Sequence, residues 1–195
     1  SIDVYRLVFI CVPEKAVDAV AQDIAEALPR VVTSMPAIYI RSSIPPGTSM
    51  RLREKYGLHF GHNPEFLREA VAEYEFLNPP GVVLGDCCFE HGQILQSLYE
   101  PLRVSIIHTE PEVSELAKLV VNGYLACQIS YWNQVKLLAD KLGINSHTVG
   151  MLASHCDERV SIYGSRMHGK PYGGKCLPKD LKQLIDLSVD KGIPL

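Results

Sequence analysis

Short apolar runs alternate with segments of helical hydrophobic period through the first half of the chain, and no other feature constrains its fold as strongly. Strands separated by helices pair in parallel through crossovers, so the pattern predicts an α/β sheet. Residues 7–12 (LVFICV) read as a buried strand closed by Pro13. Residues 14–28 place Ala16, Val17, Val20, Ile24 and Leu28 at helical spacing. A second strand at 37–41 ends in the turn Ser42-Ser43-Ile44-Pro45-Pro46-Gly47, followed by a short helix over 48–55 and a strand at 58–60. Asn63-Pro64-Glu65-Phe66 has the form of a helix start, with asparagine as N-cap, proline at the first helical position and an acid in the first turn. Strands at 82–84 and 104–107 flank a helix at 93–98, so five strands joined by crossovers predict a largely parallel sheet.

The pattern then changes. Between residues 109 and 142, Leu116, Leu119, Val120, Gly123, Cys127, Tyr131, Val135, Leu138 and Leu142 predict one long helix, ended by Gly143. Asn145 or Ser146 caps the next helix, and Pro178 opens a last one that stops near Gly192. A boundary is expected near residues 108–112, with the sheet before it and helices after it.

Composition excludes several classes. Hydrophobic residues make up 47% and charged residues 21%, the balance of a globular chain rather than a disordered one. A net charge of −3 with mixed signs lacks the basic stripe of a duplex-binding protein, so no nucleic-acid partner is expected. No apolar run approaches the roughly 20 residues that span a bilayer, so no membrane partner is expected either. The six cysteines fit neither a disulfide scaffold nor a CxxC zinc spacing, and no metal is expected. Cys11 and Cys127 lie in apolar stretches where buried thiols are expected, and a reducing cytoplasm is the default compartment. Asp3 and Arg6 precede the first apolar run and no small-residue cleavage site follows it, unlike a signal peptide. None of the 14 glycines forms G-x-G-x-x-G.

Four polar pairs stand at helical spacing. Glu65 and Glu69 would share a face of the helix starting at Pro64, Lys118 and Asn122 a face of the long helix, and Cys176 and Asp180 the start of the last helix, just after Tyr172-Gly173-Gly174. Glu115 with Lys118 reads as a surface i,i+3 pair. Each has a plain structural explanation by itself: a solvated helix face, an inert cysteine, the polar side of an amphipathic helix.

Their order along the chain says more. Ile10-Cys11-Val12-Pro13, Arg41-Ser42-Ser43-Ile44-Pro45-Pro46-Gly47-Thr48, Asn63-Pro64-Glu65-Phe66-Leu67-Arg68-Glu69, Lys118-Leu119-Val120-Val121-Asn122 and Tyr172-Gly173-Gly174-Lys175-Cys176-Leu177-Pro178-Lys179-Asp180 together resemble the UDP-glucose/GDP-mannose dehydrogenase family, from about Leu7 to the end. The resemblance implies residues 1–108 as the C-terminal part of a Rossmann-like dinucleotide-binding domain. It implies residues 109–195 as a helical central and dimerisation domain with a catalytic cysteine loop. The implied activity is an NAD-dependent, four-electron oxidation of a nucleotide-sugar C6 alcohol to a carboxylate through a cysteine thiohemiacetal and thioester. By motif position Cys176 is the nucleophile, Lys118 and Asn122 bind the charge-gathering oxygen, Asp180 orients water and Lys118, and Glu65 serves acid/base work at hydrolysis. Val12, Pro13, Ser43 and Glu69 match positions that approach NAD. Phe66, Leu67, Arg68, Tyr172 and Gly173 match substrate positions, and Arg159 matches an arginine that reaches a neighbouring subunit's site in a homodimer built on the long helix.

The residue types suit this chemistry independently. A thiolate is a strong nucleophile whose thioester hydrolyses, and a cysteine beside a helix N-terminus between Lys175 and Lys179 is favoured as thiolate. An ammonium plus an amide donor makes a sound oxyanion site. Three departures from the family pattern accompany the match. The first strands with the phosphate-binding turn and the C-terminal nucleotide-binding domain are not in this sequence, Ser43 replaces the usual threonine, and Pro171 replaces a glycine. The expectations are therefore an edge strand at 7–12 that needs covering, little NAD affinity in this stretch alone, and a second reading as an inactive binding or assembly module.

Overall fold

The computed structural model describes residues 6–28, 35–161, 169 and 171–193. The chain divides into two compact units, one up to Lys118 and one from Leu119 onward.

The first unit is a five-stranded sheet, β1 (Leu7–Ile10), β2 (Ala37–Ile40), β3 (Phe60–His62), β4 (Val82–Gly85) and β5 (Ile106–Thr109), in sequential order. β1, β2 and β3 pair in parallel, as do β4 and β5. All four residues of β2 are buried. Ile38 and Ile40 enter one core with Ile10, Val17, Ile24, Leu52 and Phe60, while Ala37 and Tyr39 enter the other with Leu84, Leu95 and Tyr99. That alternation is the two-residue period of a strand covered on both faces. The covering helices are α1 (Val17–Ala27), α2 (Thr48–Tyr56) and α4 (Phe89–Tyr99), with the six-residue α3 (Ala72–Leu77) before β4. β1 forms one edge of the sheet among the described residues.

One junction differs from the parallel expectation: β3 and β4 run antiparallel through the single pair His62↔Gly85. The connection between them carries only a 3-10 turn (Glu69–Val71) and α3, neither of which buries a residue. No helix packs there as a crossover, so nothing carries the chain back to a parallel start.

The helix expected from Asn63-Pro64 does not form; residues 63–68 are irregular. An N-cap must offer its side-chain oxygen to backbone N–H groups two or three residues on. Asn63 is buried, and its Oδ1 instead accepts from the Tyr99 hydroxyl at 2.6 Å and from the Arg41 guanidinium, while Nδ2 donates to the Val83 carbonyl at 2.9 Å. Tertiary partners outbid the local cap, and Glu65 and Glu69 consequently share no helix face.

α5 (Pro111–Leu142) is the long helix, 32 residues, and it passes from the first unit into the second. Its start lies hard against the sheet: a Cβ at Gly85 would fall 2.9 Å from the Cα of Pro111. Glycine is therefore what admits the helix here. Gly143, at φ +66°, follows the helix end in the left-handed conformation that glycine adopts without strain. The second unit continues with α6 (Ser146–Cys156), capped by the Asn145 side chain accepting from the N–H groups of His147 and Thr148, and α7 (Cys176–Asp190). Cys11 and Cys127 are exposed rather than buried. Cys11 lies just past the end of β1, and Cys127 is on a different face of α5 from the buried Ala126 and Ile129.

Candidate functional site

In the first unit the site positions gather past the carboxyl ends of β1, β2 and β3. Ser42 stitches the first two loops together: its Oγ accepts from the Val12 N–H at 3.2 Å and donates to the Val12 carbonyl. Val12, Pro13 and Ser43 are thereby held side by side. Carboxyl ends of adjacent parallel strands are where open α/β sheets take ligands. The hydroxyl and backbone groups there are of the kind that would hydrogen-bond the ribose and carboxamide of NAD, and the sequence offers no glycine-rich turn for its phosphates. Glu69 stands apart from this stitch, exposed at the start of its 3-10 turn.

The loop after β3 meets the start of α5. The Lys118 ammonium donates to the Glu65 carbonyl at 2.6 Å and lies 5.2 Å from the centroid of the Phe66 ring, although Lys118 is only 6% exposed. A buried cation is tolerable because a carbonyl dipole and the negative face of an aromatic ring replace its water. Glu65 accepts from the Leu67 N–H at 2.8 Å, and Arg68 is paired with Glu75. A cavity of about 360 Å3 opens beside this loop, bounded by Arg41, Asn63, Glu65, Phe66, Leu67 and Tyr99.

Two residues under the loops were not legible as site groups. Glu115, read from the sequence as a surface partner of Lys118, is fully buried and accepts from the N–H groups of Gly47 at 2.6 Å and Ser49 at 2.9 Å, at the N-terminus of α2. Burial raises its pKa, against the pull of these N–H groups. His62 is fully buried with Nδ1 2.8 Å from the Ser114 hydroxyl and Nε2 3.3 Å from the Ser42 carbonyl. That network suits the neutral ring with its proton on Nε2, and burial pushes the pKa down to about 4. Both residues brace the loops that hold Ser43 and Glu65. The contacts join residues tens of positions apart, so no local spacing announces them.

In the second unit Asn122 and Asp180 form a buried pair, Nδ2 donating to Oδ2 at 2.6 Å, while Asp180 Oδ1 lies 3.0 Å from the Lys179 ammonium. Near the pair, a Cβ at Gly123 would sit 2.8 Å from Leu184 Cδ2, the tip of a side chain that can rotate aside, so glycine eases the packing of α7 on α5. Cys176 is the first residue of α7, exposed, one turn before Asp180. Gly174, at φ +78°, turns the chain into the helix, with Gly173 exposed and Tyr172 half-buried before it. Tyr172 also borders a cavity of about 400 Å3 with Asn133, Lys136 and Gly169. Arg159 is exposed and paired with Asp157 at 2.6 Å, and its guanidinium lowers the Asp157 pKa.

The structure thus brings Lys118 to Glu65 and Phe66, Val12 and Pro13 to the Ser43 loop, and Asn122 to Asp180 beside the helix of Cys176. Among the described residues, no helix is long and apolar enough to cross a membrane.

Residues 3–103 match the UDP-glucose/GDP-mannose dehydrogenase family, NAD binding domain, and residues 112–195 match the same family's central domain. The chain is 34% identical over 195 residues to a GDP-mannose 6-dehydrogenase of Pseudomonas putida, covering 92% of this chain and 44% of that protein. It is 32% identical over 152 residues to a UDP-glucose 6-dehydrogenase of Campylobacter jejuni, covering 76% and 38%. It therefore spans less than half the length of these curated relatives. Among solved structures, a UDP-glucose dehydrogenase from Pyrobaculum islandicum superposes with a TM-score of 0.89 at 27% identity, covering 98% of this chain and 48% of that one. A GDP-mannose dehydrogenase from Pseudomonas aeruginosa gives 0.70 at 26% identity, with 96% and 48% covered.

Proposed function

The chain belongs to the UDP-glucose/GDP-mannose dehydrogenase family, and from that premise we propose that it supplies the C6-oxidising residues of an NAD-dependent nucleotide-sugar 6-dehydrogenase. Residues 1–108 serve the dinucleotide side and residues 109–195 the sugar side. The observation that carries the reading is the buried pair between Asn122 of α5 and Asp180, on the helix that Cys176 begins. A fully buried carboxylate, even paired with an amide and a lysine ammonium, costs stability relative to an apolar contact, and its presence beside a motif cysteine supports a catalytic purpose.

NAD, held along Val12, Pro13, Ser43 and Glu69, would accept the hydride lost from C6 in each of the two oxidations. At the aldehyde stage Cys176 Sγ adds to C6, forming the carbon–sulfur bond of a thiohemiacetal. Lys118 and Asn122 donate to the oxygen that gathers charge, and one such donor contributes about 3 kcal/mol of transition-state stabilisation. Loss of the second hydride from C6 leaves a thioester on the same sulfur. Glu65 takes a proton from water as it adds to the thioester carbonyl, Asp180 orients that water, and the carbon–sulfur bond breaks to free the acid and the thiolate. Phe66, Leu67, Arg68, Tyr172 and Gly173 line the sugar nucleotide. Arg159 reaches a second copy across a homodimer seated on the face of α5 that carries Val120, Tyr124, Tyr131 and Leu138, all exposed here. A reducing, cytoplasmic setting suits six free thiols.

The test is acid formation from UDP-glucose or GDP-mannose, with Cys176→Ala as control. The substitution is expected to abolish the acid product, and unchanged product formation overturns the mechanism. Site-resolved thiol alkylation at neutral pH gives an independent check. Cys176 is expected to react faster than Cys11, Cys127 and Cys156, which are also exposed, and equal rates would reduce Cys176 to a structural residue.

A further inference from the structure

At the end of β3 away from the Asn63 loop, four side chains with metal-ligating atoms converge. His59 lies just before β3, Cys87 and Cys88 in the turn after β4, and His91 in the first turn of α4. The antiparallel pair His62↔Gly85 joins the last residues of β3 and β4, so the turn after β4 runs back past the start of β3 and brings together residues far apart in sequence. One ligand atom from each residue, two Sγ and two ring nitrogens, all lie within 4.8 Å of one another. Cys87 Sγ stands 3.3 Å from His91 Nδ1, and the His59 and His91 rings meet edge to face at 5.4 Å between centroids. His91 is buried and the other three are half-buried.

We propose that His59, Cys87, Cys88 and His91 bind one Zn2+ ion in a tetrahedral S2N2 site, separate from the Cys176 machinery. Two thiolates and two imidazoles are the donor set of closed zinc sites, and their softness disfavours calcium and magnesium. Two thiolates neutralise the dication, so the site buries no net charge. With zinc–sulfur and zinc–nitrogen bonds of ordinary length, ligand atoms in a tetrahedron stand roughly 3.3–3.8 Å apart. The Cys87–His91 spacing already meets that distance, and the widest pair must close by about 1 Å, within reach of side-chain rotation. A cavity of about 320 Å3 bordered by Leu58, His59, Cys88, His91 and Ile94 provides the entry path.

Binding exchanges protons for metal: each thiol releases its proton to solvent, the ion sheds its waters, and nothing is oxidised or reduced. Four protein ligands leave no open position, so the role is structural. The ion would tie the segment before β3 to the turn between β4 and α4. The cysteine spacing conceals this arrangement, because the ligands come from two segments and the two cysteines are adjacent.

The test uses the chain stripped of metal by a chelator under reducing conditions, then titrated with Zn2+ against a chromophoric competitor and with Co2+ in the spectrophotometer. One equivalent is expected per chain, with the strong visible absorption of tetrahedral Co2+ and thiolate-to-cobalt charge transfer. Cys88→Ser and, separately, His59→Gln should each lower zinc affinity on the order of tenfold or more while circular dichroism stays unchanged. A variant with Cys11, Cys127, Cys156 and Cys176 all replaced by serine should keep both the stoichiometry and the spectrum. The absence of stoichiometric uptake, a weak octahedral cobalt spectrum, or loss of binding in that fourfold variant overturns the site.

Discussion

Asn63 and Asn145 carry the same sequence signal, an asparagine at the head of a helical pattern, and the molecule uses them in opposite ways. Asn145 caps α6 as read, its Oδ1 accepting from His147 N at 2.9 Å and Thr148 N at 3.2 Å. Asn63 caps nothing. It sits at the end of a buried strand, where Arg41, Tyr99 and Val83 consume its donors and acceptor. The difference lies in what surrounds the side chain. At the exposed turn before α6 the described partners of Asn145 are local, so local preference decides. Beneath a sheet covered on both faces, buried groups need partners, and the asparagine supplies three of them.

The comparison breaks most sharply at Asn63. Asn63→Ala would leave a guanidinium, a phenol and a carbonyl short of a partner, and about 4 kcal/mol of unfolding free energy should be lost. Hydrogen exchange of the β2 amides reads that loss in the first unit, and a change under about 1 kcal/mol would show that the network is dispensable. Asn63→Asp keeps an acceptor but loses the donor to Val83, so it too should destabilise.

The neighbouring His62 sharpens the same contrast through pH. Its folded-state pKa, about 4, lies below the ordinary histidine value of 6.5 because the ring is buried. Its contribution is therefore complete above pH 6.5 and is lost as pH falls toward 4, since the unfolded chain takes up the proton first. The largest loss from this group is about 3 kcal/mol. Urea unfolding at neutral and acid pH should show a steeper fall for the wild type than for His62→Gln, and equal slopes would remove His62 from the account.

Legibility follows the same division. β2 was readable because four apolar residues in a row, bounded by turn residues, already specify a strand buried on both faces. α5 was readable because its apolar positions hold one period for 32 residues. The β3–β4 reversal was not, since it rests on one ladder pair and a connection without a packed helix. Glu115 was misread as a surface residue because its partners, the N–H groups of Gly47 and Ser49, are supplied by a distant turn. The family was legible through the order and spacing of its motifs. Sequence also paired Cys176 with Asp180, but not Asp180 with Asn122, which come together from helices 58 residues apart in sequence.

That pair provides the intermediate case. Asp180→Ala would leave the Asn122 amide buried without its acceptor, at about 2 kcal/mol. Trp132, the single tryptophan, lies buried in the same unit and reports its unfolding by fluorescence. No shift in the midpoint would show that water or another group replaces the carboxylate, and would weaken the case for a built polar site beside Cys176.

The smallest effect belongs to Asn145. Its cap satisfies two N–H groups at an exposed helix end, where water is the competing partner. Asn145→Ala should therefore cost only about 1 kcal/mol, read by the same tryptophan. Asn145→Asp should be close to neutral, because aspartate caps as well as asparagine and its charge complements the helix N-terminus. The two aspartate variants are the sharper pair, since Asn63→Asp meets a buried carbonyl where Asn145→Asp meets amide hydrogens. If both prove neutral, the Asn63 side chain does not need its donor, and the distinction between a local cap and a tertiary hub fails at the residue on which it was built.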